Sequence, residues 1–437
     1  MKKFAILGAG MAGVGAAHRL HGQGIRPVIY EKHSYHGGHT ASFKSPQGFI
    51  FDEGPHVSFT SDERIQNLLA DSVNHRYETV RYGVNNYWKG HWIKHPAHCN
   101  LYGLPPDLIV DILRDFIAAR DGNSTETFRN YEDWLIASYG EKFARTFPME
   151  YTIKYHTTTA ANMSTDWLGP RMYRPKLEEV LYGAVSPTTP DYHYVTEFRY
   201  PSRDGFVAYF DLFLRQADFK LGHELVRIDP KERQLYFSNG SVESFDGLIS
   251  SVPLPDLVPL IAGVPKDVLE SSQKLACTSC ILVNLGVDRE GISEHTVTYF
   301  YDHDFSFTRL SFPHLMSPNN APPGTSSIQA EVYFSKKYRP MNCPPEHYVQ
   351  PVIADLRRCG ILTEKDTILF SEARVCPYAN VIFDLERAPA LKNVHGYLDD
   401  IGIGYCGRYG DWKYTWTDEA FKSGENAAQT ILDRTGS

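Results

Sequence analysis

Three glycines and one carboxylate near the start of the chain carry the first chemical signal. Gly8, Gly10 and Gly13 stand in the order G-x-G-x-x-G, and Glu31 follows them. Glycine at the first position permits a tight turn. At the second it lets backbone approach a pyrophosphate, and at the third it lets a helix pack on a strand. The free N–H groups of that helix's first turn face phosphate, while a carboxylate about twenty residues on accepts from ribose hydroxyls. The set suits a dinucleotide, NAD or FAD. A carboxylate in that place disfavours a 2′-phosphate, so NADP is not expected. Such a site needs a strand before the loop and another ending at the acid. The sequence supplies both, over 3–7 and 27–30, with a helix opening at the loop between them.

The same segment settles a question of targeting. Lys2-Lys3 followed by an apolar run to Ala17 has the outline of a signal peptide, but its glycines and the motif they form point to a buried strand and helix. No stretch reaches the roughly 18 uninterrupted apolar residues of a membrane span. The seven cysteines are scattered and odd in number, which suits reduced thiols in a cytoplasm. Cys277 and Cys280 form a lone CxxC in an apolar run, read as core packing rather than a metal site. His91, His95 and His98 have metal-like spacing but are read as solvated. No metal is expected. A net charge of −8 leaves no basic footprint for nucleic acid or an anionic membrane. At 437 residues the chain exceeds what one core usually supports, and two interleaved domains are expected. Its 27 Tyr, 24 Phe and 6 Trp include enough rings to wall a pocket for a planar or sugar-like ligand.

Beyond Glu31 the chain enters a glycine pair, Gly37-Gly38, then His39, and later Asp52-Glu53-Gly54-Pro55-His56. Two strands around a Pro-Lys-Glu turn follow at 224–228 and 234–237, then a buried strand at 246–252. Near the end stands Gly407-Arg408-Tyr-Gly-Asp-Trp412-Lys-Tyr414, before a helix over about 417–433. This order resembles the FAD-binding superfamily that includes flavin amine oxidases, protoporphyrinogen oxidase and UDP-galactopyranose mutase, over the whole chain. The resemblance implies FAD, with Gly37 and Gly38 beside its ribityl and phosphate groups and His39, where the family often has an arginine, among the cofactor-binding residues. It also implies a backbone contact from Val226 to the adenine, and Gly407 and Arg408 as neighbours of the pyrophosphate and isoalloxazine.

Within that superfamily the motifs divide. Gly54-Pro-His56, Tyr151-Thr-Ile-Lys154, Phe307-Thr-Arg309 and Gly407-Arg408-Tyr-Gly are similar to mutase elements, and they imply His56 beside the flavin with Arg309 and Tyr414 on a diphosphate. Arginine suits that task through forked hydrogen bonds. Phe59 replaces the mutase's second histidine, and Trp416 and Thr417 replace its last aspartate and methionine. Arg199-Tyr-Pro201-Ser-Arg-Asp-Gly205 and the helix around Ser423-Gly424 are similar to the protoporphyrinogen-oxidase type instead. The flavin-facing lysine of amine oxidases has no counterpart in 281–287.

The expected fold is α/β: a GxGxxG FAD-binding domain of residues 1–60, 195–260 and 376–437, interleaved with a substrate domain of 61–194 and 261–375. The latter should combine helices with an antiparallel sheet, including a strand pair around 87–94 and a helix over 130–142. Trp412, Tyr414 and Trp416 alternate as on a strand, so one face would present all three to substrate. Trp412 and Tyr414 join Arg309 as substrate-binding candidates, with core packing as the plain alternative. His56 is the flavin-facing catalytic candidate, against a hydrogen-bonded structural histidine. Lys154 and His156 either face substrate or end a helix. The expected activity is that of an FAD-dependent oxidoreductase on a small molecule. The alternative is a mutase-like isomerase acting on a nucleotide sugar.

Overall fold

Phe4–Leu7, four consecutive buried residues, is the middle strand of a five-stranded parallel sheet. Its neighbours are Gly247–Ser250 and Ile403–Tyr405 on one side, Val28–Tyr30 and Asp218–Lys220 on the other. The computed structural model describes residues 2–121, 127–169, 172–192 and 195–436. Parallel strands are buried on both faces, which explains the unbroken apolar run of 4–7. One cover is the helix Met11–His21, and the helix Thr417–Thr435 crosses it. That crossing is close because glycine stands on each side. A Cβ on Gly15 would lie 2.1 Å from the Phe421 carbonyl oxygen, and one on Gly424 would lie 1.9 Å from that of Ala12.

The second sheet has seven strands, in the order Ile368–Cys376, Thr278–Val287, Ser326–Ser335, Arg309–Ser311, Val297–Phe300, Val84–Trp88 and His91–Lys94. Neighbours are antiparallel except Val297–Phe300 with Val84–Trp88, which run parallel. The wholly antiparallel expectation is corrected there: the hairpin 84–94 comes from the earlier half of the chain and adds itself to an edge of strands supplied by the later half. Ser326–Ser335 is buried on both faces. Ile328, Ala330, Val332 and Phe334 pack on Val352, Ile353 and Leu356 of the helix Val349–Arg358. The opposite face carries Gln329, Glu331 and Tyr333. Gln329 Nε2 donates to the Asp52 carbonyl (2.8 Å) and to Asn284 Oδ1 (3.0 Å), tying this sheet to the glycine-rich segment after the first βαβ unit.

The helix expected over 130–142 is two, Tyr131–Tyr139 and Glu141–Thr146. Gly140 lies between them at φ +78°, where the chain turns against Asp115. Tyr77–Arg81, a strand the periodicity did not disclose, pairs with Glu197–Pro201. Asp52 sits where these segments meet. Its carboxylate accepts from Ser42 Oγ (2.6 Å), Tyr200 Oη (2.8 Å) and the Phe206 N–H (3.1 Å). Burial pushes that carboxyl up to about 6.

Candidate active site

A cavity of ≈ 690 Å³ runs from the C-terminal ends of Phe4–Leu7 and Val28–Tyr30 to the polar face of the seven-stranded sheet. Its first part is the glycine loop. Gly8 holds φ +98°, and a Cβ on Gly13 would lie 2.0 Å from the Gly8 carbonyl oxygen, so both are required by the chain's own path. Gly10 is different: a Cβ there would meet no protein atom nearer than 3.7 Å. It lines the cavity, and its missing side chain leaves space for something other than protein. The helix that begins after it has neither a side-chain cap nor an acid in its first turn, which leaves its first N–H groups to a ligand. Glu31 closes the other side, accepting from the Ala9 N–H (2.9 Å) and the His33 N–H (3.0 Å) while lining the cavity.

Gly37 and Gly38 are joined directly to this loop. The Gly37 N–H donates to the Ala9 carbonyl (2.9 Å), and both residues take positive φ. His39 follows and meets His56, Nδ1 to Nε2 at 3.2 Å. His56 Nδ1 lies 2.8 Å from the Gly54 carbonyl oxygen, which can only accept. Nδ1 of His56 therefore carries the proton, and its Nε2 accepts from His39. Burial, with Arg408 and Arg309 nearby, lowers His56 to about 4, and burial and His56 lower His39 as well. Two neutral rings in a fixed order line the cavity. Both nitrogens of His56 are engaged.

Arg408 donates to the carbonyl oxygens of Thr415 and Ala379, Nη2 to Thr415 at 2.6 Å and Nη1 to Ala379 at 3.1 Å. Among the described residues no carboxylate pairs with it. A buried guanidinium held by carbonyl dipoles and the face of the Tyr414 ring, 5.2 Å away, suits an anionic ligand in the cavity it lines. Gly407 is excluded from carrying a side chain by Ala12, whose Cβ would be 2.6 Å away.

Val226 follows directly on the cavity wall. It is the extra residue where the register between Leu225 and Arg227 shifts, half-exposed, and its neighbours His223, Glu224 and Leu225 line the cavity. Trp412 is a correction. Residues 411–416 are not a strand: Gly407–Gly410 is a helical turn, and Trp412 follows at φ +50°. Its ring is fully buried against Tyr378 and Tyr409, and it lines neither cavity. Tyr414 and Trp416 line both cavities.

The second cavity, ≈ 340 Å³, adjoins the first through shared walls at Pro55, Val57, Tyr155, Arg309, Tyr414 and Trp416. Arg309 is no surface residue. Its Nε and Nη2 donate to the two Glu331 oxygens at 2.7 and 2.8 Å, and the Tyr333 hydroxyl donates to the same carboxylate. Tyr155, which the motifs did not single out, lies one helical turn after Tyr151 on Pro148–His156 and stacks with it at 5.3 Å. Its hydroxyl bonds that of Tyr414 (2.8 Å) and donates to Asn380 Oδ1 (3.1 Å). Lys154 turns the other way. Its amine donates to the carbonyls of Asp302 (2.6 Å) and Phe307 (2.8 Å), and burial lowers it to about 7. His98, expected in solvent, lines the second cavity, as does His156. Cys277 lies outside the first cavity's wall, while Cys280 on the sheet is part of it.

The comparisons with known proteins agree with this geometry. Residues 6–72 match a family model described as an NAD(P)-binding Rossmann-like domain, and residues 203–432 match one described as flavin containing amine oxidoreductase. The second match spans more than half of the chain. The chain belongs to the flavin-containing amine oxidoreductase family. A flavin goes with that family, and Gly10, the uncapped helix, Glu31 and Arg408 fit a flavin dinucleotide. Among curated proteins, a 4,4′-diapophytoene desaturase of Staphylococcus aureus is 40% identical over 156 residues, 35% of this chain and 28% of the relative. A 15-cis-phytoene desaturase of an Oncidium hybrid cultivar is 31% identical over 87 residues, 20% of this chain and 13% of the relative. The chain thus spans under a third of the length of these curated relatives. In fold it is similar to a reduced UDP-galactopyranose mutase, with a TM-score of 0.92, 24% identity and coverage of 99% and 96% of the two chains. It is also similar to a protoporphyrinogen oxidase from Exiguobacterium sp. 255-15, with a TM-score of 0.75, 16% identity and 99% coverage of both. Among the described residues, no helix is long and apolar enough to cross a membrane.

Proposed function

We propose that this family member oxidises an uncharged small organic molecule held in the aromatic cavity beside the flavin site. One observation carries the reading: the two cavities share a wall at Tyr155, Arg309 and Tyr414, so a molecule in the smaller one borders the larger. Residues 1–60, 195–260 and 376–437 form the FAD-binding domain on this reading, and 61–194 with 261–375 the substrate domain. Bound FAD supplies a two-electron acceptor. The chain's own residues position and shield. Gly10, Gly37 and Gly38 admit the dinucleotide, and Glu31 takes its ribose. His56, locked between Gly54 and His39, positions the flavin and moves no proton. Tyr414 donates its hydroxyl proton to Tyr155, which is directed onto Asn380. Tyr414 lines both cavities, so its ring stands where a molecule in the smaller one meets the larger.

A second reading, isomerisation of a nucleotide sugar, is supported by the likeness of fold to the mutase and by Arg309 and Tyr414 at the junction. The bidentate Glu331 partner counts against it, since it already neutralises the arginine a diphosphate would need. The separating experiment is anaerobic. Substrate-dependent bleaching of oxidised flavin without added reductant supports oxidation. Conversion of UDP-galactopyranose to its furanose form only after dithionite supports the isomerase and overturns our order.

A further inference from the structure

Two thiols that the cofactor site does not use stand opposite each other in the seven-stranded sheet. Cys280 on Thr278–Val287 is the direct cross-strand partner of Cys376 on Ile368–Cys376, in a register that runs without a shift from Cys280 to Gly286. Residues directly opposite in an antiparallel pair share a face, with Cα atoms about 4.5–5.5 Å apart. A disulfide spans about 4.4–6.8 Å between Cα atoms, so the backbone already stands where a bridge requires it. Both cysteines are reduced, both are 2% exposed, and both form part of the wall of the larger cavity. Each S–H is spent weakly on a carbonyl: Cys280 Sγ lies 3.5 Å from that of Ile281, and Cys376 Sγ 3.0 Å from that of Tyr378. Burial pushes both thiols well above their usual range, so neither is a thiolate unaided. Cys376 has a base at hand. Glu53 lines the same cavity, and its carboxylate accepts from the Cys376 thiol.

We propose that Cys376 and Cys280 are a reversible oxidation site in the cavity wall, which a hydroperoxide closes to a disulfide with Glu53 as the base. Glu53 takes the Cys376 proton, and the sulfur attacks one peroxide oxygen. An S–O bond forms, the O–O bond breaks, and the departing hydroxide recovers the proton from Glu53 and leaves as water. The Cys280 sulfur then attacks the sulfenic sulfur of Cys376. The S–S bond forms, the S–O bond breaks, and the second hydroxide leaves as water with the Cys280 proton. Two thiols and one hydrogen peroxide thus give one disulfide and two waters, the sulfurs losing the two electrons that reduce the peroxide. Thiols so little exposed admit only an oxidant near the size of water. The bridge would tie the two strands where the chain enters Pro377 to Asn380, which also lines the cavity. The site stands whichever reaction that cavity hosts.

The test treats the purified flavoprotein with hydrogen peroxide, blocks remaining thiols with N-ethylmaleimide under denaturing conditions, and maps the digested chain by tandem mass spectrometry. A Cys280–Cys376 link should appear, lighter by two hydrogens than the free pair, and dithiothreitol should remove it. Cys280→Ser should leave Cys376 as sulfinic acid, with no second thiol to intercept the sulfenic acid. Glu53→Gln should slow formation of the link by roughly tenfold or more. The map of the unaltered protein decides should a variant fail to fold. Both thiols still blocked by maleimide after peroxide, Cys376 driven to sulfinic acid in the unaltered protein, or a link to Cys277 in place of Cys280 would each overturn the proposal. An undiminished rate in folded Glu53→Gln would overturn the part given to the carboxylate.

Discussion

Arg309 and Glu331 are best understood as a unit. The glutamate side chain is 2% exposed and accepts both forks of the guanidinium, so removing the arginine strands a buried carboxylate with only the Tyr333 hydroxyl for company. Breaking one side of such a pair costs about 3–5 kcal/mol, whereas replacing both sides with apolar groups costs far less. Arg309→Met should therefore lower the urea-unfolding free energy by about 3 kcal/mol, and Arg309→Met/Glu331→Met should recover most of it. Equal losses in the two proteins would show that the pair is uncoupled. His56 gives a pH signature. Its folded-state value of about 4 lies below the ordinary 6.5, so protonation favours the unfolded chain. Its contribution is complete above pH 6.5 and is lost as pH falls through 6.5 towards 4, a difference of about 3 kcal/mol. His56→Asn should flatten the fall of unfolding free energy over that window, and an unchanged slope would assign it to other groups. At this scale, what the sequence disclosed were residues whose reasons are local. Gly8 and Gly13 answer to backbone within a few residues, so type and spacing suffice. The pairing of His39 with His56 joins two loops, so it had no pattern to read.

The glycine loop separates two demands within one element. Gly13 is required by the fold, since its Cβ would lie 2.0 Å from the Gly8 carbonyl oxygen. Gly10 meets no protein atom nearer than 3.7 Å, so the fold itself tolerates alanine there, while a dinucleotide bound as proposed would not. Gly10→Ala should therefore give a folded protein with its thermal transition retained and its FAD affinity at least tenfold lower. Gly13→Ala should lose both. Circular-dichroism melts and flavin content of the purified proteins test the contrast, and full flavin loading of Gly10→Ala would place the dinucleotide elsewhere. Elements also show where pattern misleads. The alternation Trp412, Tyr414, Trp416 reads as a strand, but Gly407 and the positive φ of Trp412 fold that stretch into a turn that buries the first ring and leaves the other two in the cavities. In Ser326–Ser335 the alternation is real, yet its polar side is not solvent. Gln329 and Glu331 face a polar interior, which hydropathy cannot distinguish from water.

On the scale of the whole molecule, the larger cavity is where distant stretches of chain converge. Gly8, Gly10 to Ala12, Glu31, Gly37 to His39, His56, His223 to Leu225, Ser251, Glu331 and Gly407 to Tyr409 all line it. A ligand that touches so many separate segments is linked to the stability of the entire fold, because each segment must be in place before it can bind. Binding to the folded state alone adds RT ln(1 + [L]/Kd), about 2.7 kcal/mol at a hundredfold excess over Kd and about 1.4 kcal/mol for each further tenfold. Apoprotein prepared by acid–bromide stripping should melt several degrees below the loaded enzyme. Added FAD should then raise the transition in proportion to the logarithm of its concentration, with both sheets unfolding together. NADP should leave the transition where it is, because Glu31 opposes a 2′-phosphate. A transition that ignores FAD, or that splits so that only residues 1–60, 195–260 and 376–437 respond, would mean that the seven-stranded sheet folds without regard to the cavity it helps to close. The Gln329 bonds to Asp52 and Asn284, and the sheet's share of the cavity wall, argue for one coupled transition.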